Sequence, residues 1–187
     1  GTGGGTINIE LAVSRDGIEW ERPFQNDYVL PRQDGDAFDS GSIFTNATPV
    51  ILEDEIRFYY GAYSGGATSV SDRGHNSGIG VVTIGRDRFA GIRPVAKSDQ
   101  ATVATPHEHV GQVTLKPIDL RDVNAIKLNA DASEGEIRVE VMDVSGRRVR
   151  GYAKSDAVPI RGDSLRHEVA SRDRQISALQ DDRYILR

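Results

Sequence analysis

No cysteine occurs anywhere in the 187 residues, which removes disulfides, thiolate nucleophiles and Cys-type zinc sites together. The compartment stays open, because exported bacterial proteins also lack disulfides. No apolar run approaches the roughly 20 residues a spanning helix needs, and no basic block stands out to offset the net charge of −5. Nucleic acid and anionic membrane surfaces are met by excess Lys and Arg, so neither is expected as a partner. The start Gly1-Thr2-Gly3-Gly4-Gly5 has neither an initiator methionine nor a signal-peptide pattern. A processed or trimmed end is expected, and a secreted or periplasmic location stays compatible with a longer parent chain.

What is present reads as β-structure. The central stretch is Ile56-Arg57-Phe58-Tyr59-Tyr60-Gly61-Ala62-Tyr63, an apolar and aromatic run entered from Glu53-Asp54-Glu55 and left through Ser64-Gly65-Gly66. Ser42–Phe44 and Pro49–Leu52 supply one neighbour and Gly78–Ile84 the other, with Ile7–Val13 as a fourth strand. The residues between Phe24 and Ala37 are polar enough to read as a long surface connection. Ser14-Arg15-Asp16-Gly17-Ile18-Glu19-Trp20 carries a tight-turn pair at Asp16-Gly17, with Ser14 and Asp16 able to bond local amides and Trp20 to fold over them.

From Gln112 onward short strands recur at Gln112–Pro117, Ala125–Ala130, Glu136–Asp143, Val149–Tyr152, Leu165–Val169 and Arg183–Arg187. Their spacing favours a β-sandwich. The expected fold is therefore all-β: a propeller-blade-like antiparallel meander over residues 1–94, a connection over 95–111 and a sandwich over 112–187.

Two sets of motifs resemble one family. Ala12-Val13-Ser14-Arg15-Asp16-Gly17-Ile18-Glu19-Trp20-Glu21-Arg22-Pro23 is similar to the hairpin that recurs in the five-bladed propeller glycoside hydrolases, the group of invertases, levansucrases, arabinanases and mannoside phosphorylases. Pro49 to Gly61 matches its "P-V-x-x-x-D-x-x-x-x-Y-Y-G" hairpin, and Arg86-Asp87-Arg88-Phe89-Ala90-Gly91-Ile92 resembles the turn and strand that close the blade. Lys116-Pro117-Ile118, Leu128-Asn129-Ala130-Asp131-Ala132, Arg138-Val139-Glu140-Val141, Gly151-Tyr152, Ser155-Asp156 and Pro159–His167 resemble the sandwich module that follows the propeller in bacterial invertase-like hydrolases. Leu115 departs from the usual Thr. Asp173–Asp181 resembles that module's late turn.

The resemblance implies the C-terminal part of a carbohydrate-active enzyme that contributes sugar-site rim residues and a structural sandwich. It places Asp39 and Ser40 of Phe38-Asp39-Ser40-Gly41 near the sugar, although local backbone bonding explains the pair equally well. Tyr60 and Tyr63 can offer a ring face and a hydroxyl to a sugar. His75 sits in the loop that would reach the rim, with no metal implied. The family's mechanism uses two acidic residues, and no such pair matches a motif here, so no catalytic residue is assigned. Asp156, Asp163 and His167 are expected to be structural.

No cofactor is expected. Partners would be carbohydrate, the remaining propeller blades of a parent chain, or another copy of the chain through an exposed sheet edge. The alternative is a non-catalytic glycan-binding or structural β module. A third reading, a metal-dependent enzyme, rests on His107 and His109 alone, short of the three ligands usual at a catalytic zinc.

Overall fold

A computed structural model describes residues 5–25, 27–66, 75–94 and 110–187. The protein is all-β, its strands pairing antiparallel, with one short 3-10 turn at Ile176–Ala178 as the helical element among the described residues. The chain forms two compact units, Gly1–Ala90 and Gly91–Arg187. Most of the expected 95–111 connection, including His107 and His109, lies outside the described residues.

In the first unit β1 (Ile9–Glu10) pairs with β2 (Tyr28–Leu30), while β3 (Ser42–Thr45), β4 (Val50–Ile51), β5 (Glu55–Tyr63) and β6 (Ser77–Gly85) form the main sheet. Both β3 and β4 lie along one edge of β5, opposite residues 60–63 and 56–57 respectively. They are one neighbour interrupted at Asn46–Pro49. On the other edge β6 pairs with β5 in unbroken register from Glu55↔Gly85 to Tyr63↔Ser77. The expected strand at Ile7–Val13 shrinks to two residues plus single bridges from Ile7 to Ser42 and from Val13 to Glu21. The Asp16 turn explains this, because it returns the chain on itself at Val13 before a longer ladder can form. Tyr28–Leu30, expected within a surface connection, is a strand whose buried Leu30 sits opposite Ile9. The described residues 86–94 form no strand; the chain turns at Asp87 (φ 60°) and the Phe89 ring packs edge-on against Phe58, 6.2 Å between centroids.

Side chains alternate across β5, so Ile56, Phe58, Tyr60 and Ala62 share the inner face. Ile43, Tyr60, Ala62 and Leu30 make its core, with Ile9, Phe38 and Val82 packed against them. Two glycines of β6 make that packing possible. A Cβ on Gly80 would lie 2.3 Å from Tyr60 Cζ, and one on Gly78 would lie 2.9 Å from Phe38 Cδ2. Each aromatic ring thus packs against a glycine of β6.

The second unit holds a long pair, β8 (Ile126–Ile137) with β10 (Ile160–Val169), and a three-stranded sheet ordered β7 (Ile118–Asp119), β11 (Arg183–Leu186), β9 (Val141–Met142). Two strands expected at Ala125–Ala130 and Glu136–Asp143 are divided differently, since β8 continues through Asp131–Gly135, with its register against β10 shifting between Gly162 and Ile160. There Asp131 and Ala132 stay in register with Asp163 and Gly162 of β10, and Ala132 is buried. Pro117 has no N–H to give a ladder, and the expected strand at Gln112–Pro117 is reduced to a hydrogen bond from the Leu115 amide to the Leu186 carbonyl. Val149–Tyr152 is likewise a turn rather than a strand, with Gly151 at φ 87°. The core comprises Leu120, Val141, Tyr152, Ile176, Tyr184 and Leu186, with Ile126 of the other sheet packed against it. Buried Glu140 is held by ion pairs to Arg148 and Arg187.

Aspartates fasten the turns. Asp16 Oδ1 accepts the amides of Ile18 and Glu19 and the Ser14 hydroxyl, and the Trp20 indole donates to the Gly17 carbonyl. Asp143 Oδ1 accepts the Ser145 hydroxyl and the Ser145 and Arg147 amides. Asp156 accepts the Ala153 amide, and His167 Nε2 bridges the carbonyls of Ala130 and Gly162.

Gly80→Ala is expected to cost about 1–3 kcal/mol, as overpacking does. Gly61→Ala, with open space above its Cα, should be neutral or slightly stabilising. Urea unfolding followed by circular dichroism compares them, and equal effects would contradict the ring-against-glycine packing. Ser145 and Arg147 hold the Asp143 carboxyl below its ordinary range, as Ile18 and Glu19 do for Asp16. A depressed folded value stabilises above the unfolded value of about 4 and is lost as pH falls through the folded value. Asp143→Asn, which keeps the acceptor but not the charge, should therefore flatten the acid-side fall of Tm; an unchanged slope would refute this.

Candidate functional site

The five residues singled out in the sequence gather at one end of the main sheet, where β3 and β6 begin and β5 ends. They form two groups on opposite faces. Tyr60 and Tyr63 are three apart on a strand in continuous register, so their side chains point to opposite sides.

On the inner side Asp39 is 3% exposed and Tyr60 9%. The Tyr60 hydroxyl donates to Asp39 Oδ2 at 3.0 Å, and the Phe38 ring stacks on Tyr60 with centroids 6.1 Å apart and planes 10° from parallel. Burial, reinforced by the bond to the Asp39 carboxylate, pushes the Tyr60 phenol above its ordinary range. Tyr60 therefore acts as a hydrogen-bond donor at neutral pH. Ser40 turns inward on its own loop, its hydroxyl and amide both donating to the Ala37 carbonyl while the Arg32 guanidinium donates to the Ser40 carbonyl at 2.6 Å. Arg32 Nε is buried without a hydrogen-bond partner.

On the other side the Tyr63 hydroxyl donates to the Gly66 carbonyl at 2.9 Å, and Phe44 stacks against the Tyr63 ring at 6.2 Å. Tyr63 and the exposed His75 meet across Gly65, where a Cβ would lie 3.1 Å from both rings. The Gly65 carbonyl accepts the fully buried Ser42 hydroxyl, and a Cβ on Gly41 would lie 2.1 Å from that oxygen. Glycine at 41 is what lets the two chain segments close at this end. Asn76 adds a bond to the Asp36 carbonyl at 3.1 Å.

This arrangement offers an imidazole, a tyrosine ring and backbone polar groups on one side, and a buried carboxylate–phenol pair on the other. Asp39 is the one carboxylate among the five residues, and glycoside hydrolysis by the usual routes takes two. Among the described residues no group of three His, Cys, Asp or Glu side chains could hold a metal. The partnership of Phe44 with Tyr63 and the anchoring role of Arg32 are not apparent in the sequence. The Gly78-Ile79-Gly80 alternation, set against Tyr60 and Ala62, carried a signal for the ring-against-glycine packing.

Comparison with protein-family models, with curated proteins and with solved structures returns no match.

Tyr60→Phe removes the hydroxyl bonded to a buried carboxylate and is expected to cost about 1–3 kcal/mol. In a double-mutant cycle with Asp39→Ala the two effects should fall short of additive. Strict additivity in denaturant unfolding would show that the pair does not act as a unit.

Proposed function

We propose that this chain is the C-terminal part of an invertase-like five-bladed propeller glycoside hydrolase, adding rim residues to a sugar site and a structural sandwich, with the acids that cut the bond supplied from outside these 187 residues. The observation that carries this reading is the outer face of the main sheet. Phe44, Val50, Tyr59, Ile79 and Val81 share it by register and are 48%, 45%, 42%, 84% and 52% exposed. The charged side chains that β5 places on this face, Glu55 and Arg57, are paired with each other. A sheet with one face packed and an equally apolar face left open fits a blade that stacks against a neighbour.

Under this reading Tyr63 and His75 stand at the rim, where a ring face and an imidazole meet a sugar's C–H face and hydroxyls. Asp39, Ser40 and Tyr60 shape the loop beneath rather than touch the sugar first, because each is committed to a neighbour. A second reading, a non-catalytic glycan-binding module, draws on the paired rings of Phe44 and Tyr63.

The test compares this polypeptide with its longer parent on fructoside, arabinoside and mannoside substrates. The 187-residue chain is expected to release no sugar, and the parent to do so through two carboxylates located before Gly1. Turnover by the short chain, or a parent without an acid pair, would contradict the proposal. Glycan binding by the short chain that is lost in Tyr63→Ala, without loss of fold, would favour the module instead.

A further inference from the structure

Several arginines in this chain are paired with carboxylates, and three exposed ones on neighbouring segments of the second unit are not. Arg22, Arg57, Arg121, Arg138, Arg161 and Arg187 each meet a carboxylate at ion-pair distance. Among the described residues none is so placed for Arg150, Arg172 or Arg174, although the chain has 28 Asp and Glu against 23 Lys and Arg. Between residues 147 and 174 the balance reverses, with eight Lys or Arg and four carboxylates.

The three arginines leave from two segments fastened side by side. The Ser171 hydroxyl donates to the Gly151 carbonyl at 2.6 Å and to the Asp156 carbonyl at 3.3 Å. The Arg172 amide donates to the same Asp156 carbonyl at 2.9 Å, and Ala157 bridges Ser171. A Cβ on Gly151 would lie 2.9 Å from Arg174 Cγ and 3.4 Å from its Nε, so the Arg174 stem rests on bare backbone beside Arg150. A stem packed in this way has less rotamer freedom to lose when its guanidinium binds. All three side chains are exposed, and the one exposed carboxylate in the 172–174 segment, Asp173, leaves the cluster positive.

We propose that Arg150, Arg172 and Arg174 form a surface that binds the oxyanions of an acidic polysaccharide, the carboxylates of uronic acids or the oxygens of sulfate esters. The guanidinium fork matches either group with two parallel hydrogen bonds. A polymer with an acidic group on successive sugars engages several arginines at once, which raises its avidity over any single group. The net charge of −5 confines such contact to this corner and makes it salt-sensitive. A nucleic acid fits less well, since Tyr152, the adjacent aromatic, is 5% exposed with its hydroxyl on the Gln175 carbonyl and has no ring face to stack a base. This surface does not depend on the sugar site assigned to the first unit.

Affinity electrophoresis of the whole chain through gels containing polygalacturonate, dextran sulfate or neutral dextran, at about 50 mM salt where screening is weak, tests the proposal. Retardation is expected with one or both acidic polymers and not with dextran; which acidic polymer retards it identifies the oxyanion. Arg150→Ala with Arg174→Ala should weaken it about tenfold, as lost charge-assisted bonds do, while Arg15→Ala with Arg93→Ala should leave it unchanged. The circular dichroism melt of each variant establishes that it is folded, and Arg150→Lys, which keeps the charge without the fork, should fall between. Absence of retardation, or equal loss in the control pair, overturns the surface. Equal or tighter binding of duplex DNA of matched charge overturns its assignment to a polysaccharide.

Discussion

The alternation of side chains along β5 governs the first unit. Nine residues in continuous register with β6 leave no bulge at which Tyr60 and Tyr63 could exchange sides. One face is consequently filled by Ile43, Tyr60, Ala62 and the Phe38 ring, and the other carries the apolar side chains that remain exposed. Burying one of those side chains fully would contribute roughly 1.5–3 kcal/mol, so a sheet laid against them would be strongly favoured. The inner face shows what such cover achieves: it requires glycine at 78 and 80 so that rings can approach the strand, and it leaves Tyr60 no partner but the Asp39 carboxylate.

The second unit is fastened mainly through its ends and turns. Buried Glu140 anchors Arg187 and Arg148, and its backbone pairs with Arg187 in both directions. Asp119 faces the Arg121 guanidinium, which holds its carboxyl at about 2. Breaking the Glu140 cluster from one side leaves a buried charge uncompensated, the expensive direction for such a pair. Arg150, Arg172 and Arg174 stand apart from this system of pairing.

The main sheet was legible because its signals are local. Apolar runs bounded by Glu53-Asp54-Glu55 and Ser64-Gly65-Gly66 define β5, Asn46–Pro49 divides its neighbour in two, and Asp16-Gly17 and Ser145-Gly146 mark turns by their chemistry. Strand extents were less legible because pairing, not propensity, decides them. Asp131–Gly135 reads as a break in sequence yet continues β8 because β10 lies beside it, and Tyr28–Leu30 is a strand because Ile9 offers it an edge. At the candidate site the residue types were readable, whereas their division between two faces followed from the register. The contacts of Arg32 with Ser40 and of His75 with Gly65 join residues whose proximity only the folded chain reveals.

The account rests on the outer face of β3, β5 and β6 being an interior surface of a larger assembly of blades. Hydroxyl-radical footprinting of Tyr59 and Phe44, in this chain alone and in the longer parent polypeptide that the proposal requires, measures that directly. Strong labelling in the isolated chain and marked protection in the parent is the predicted result. Equal labelling of both residues in the two polypeptides would contradict it.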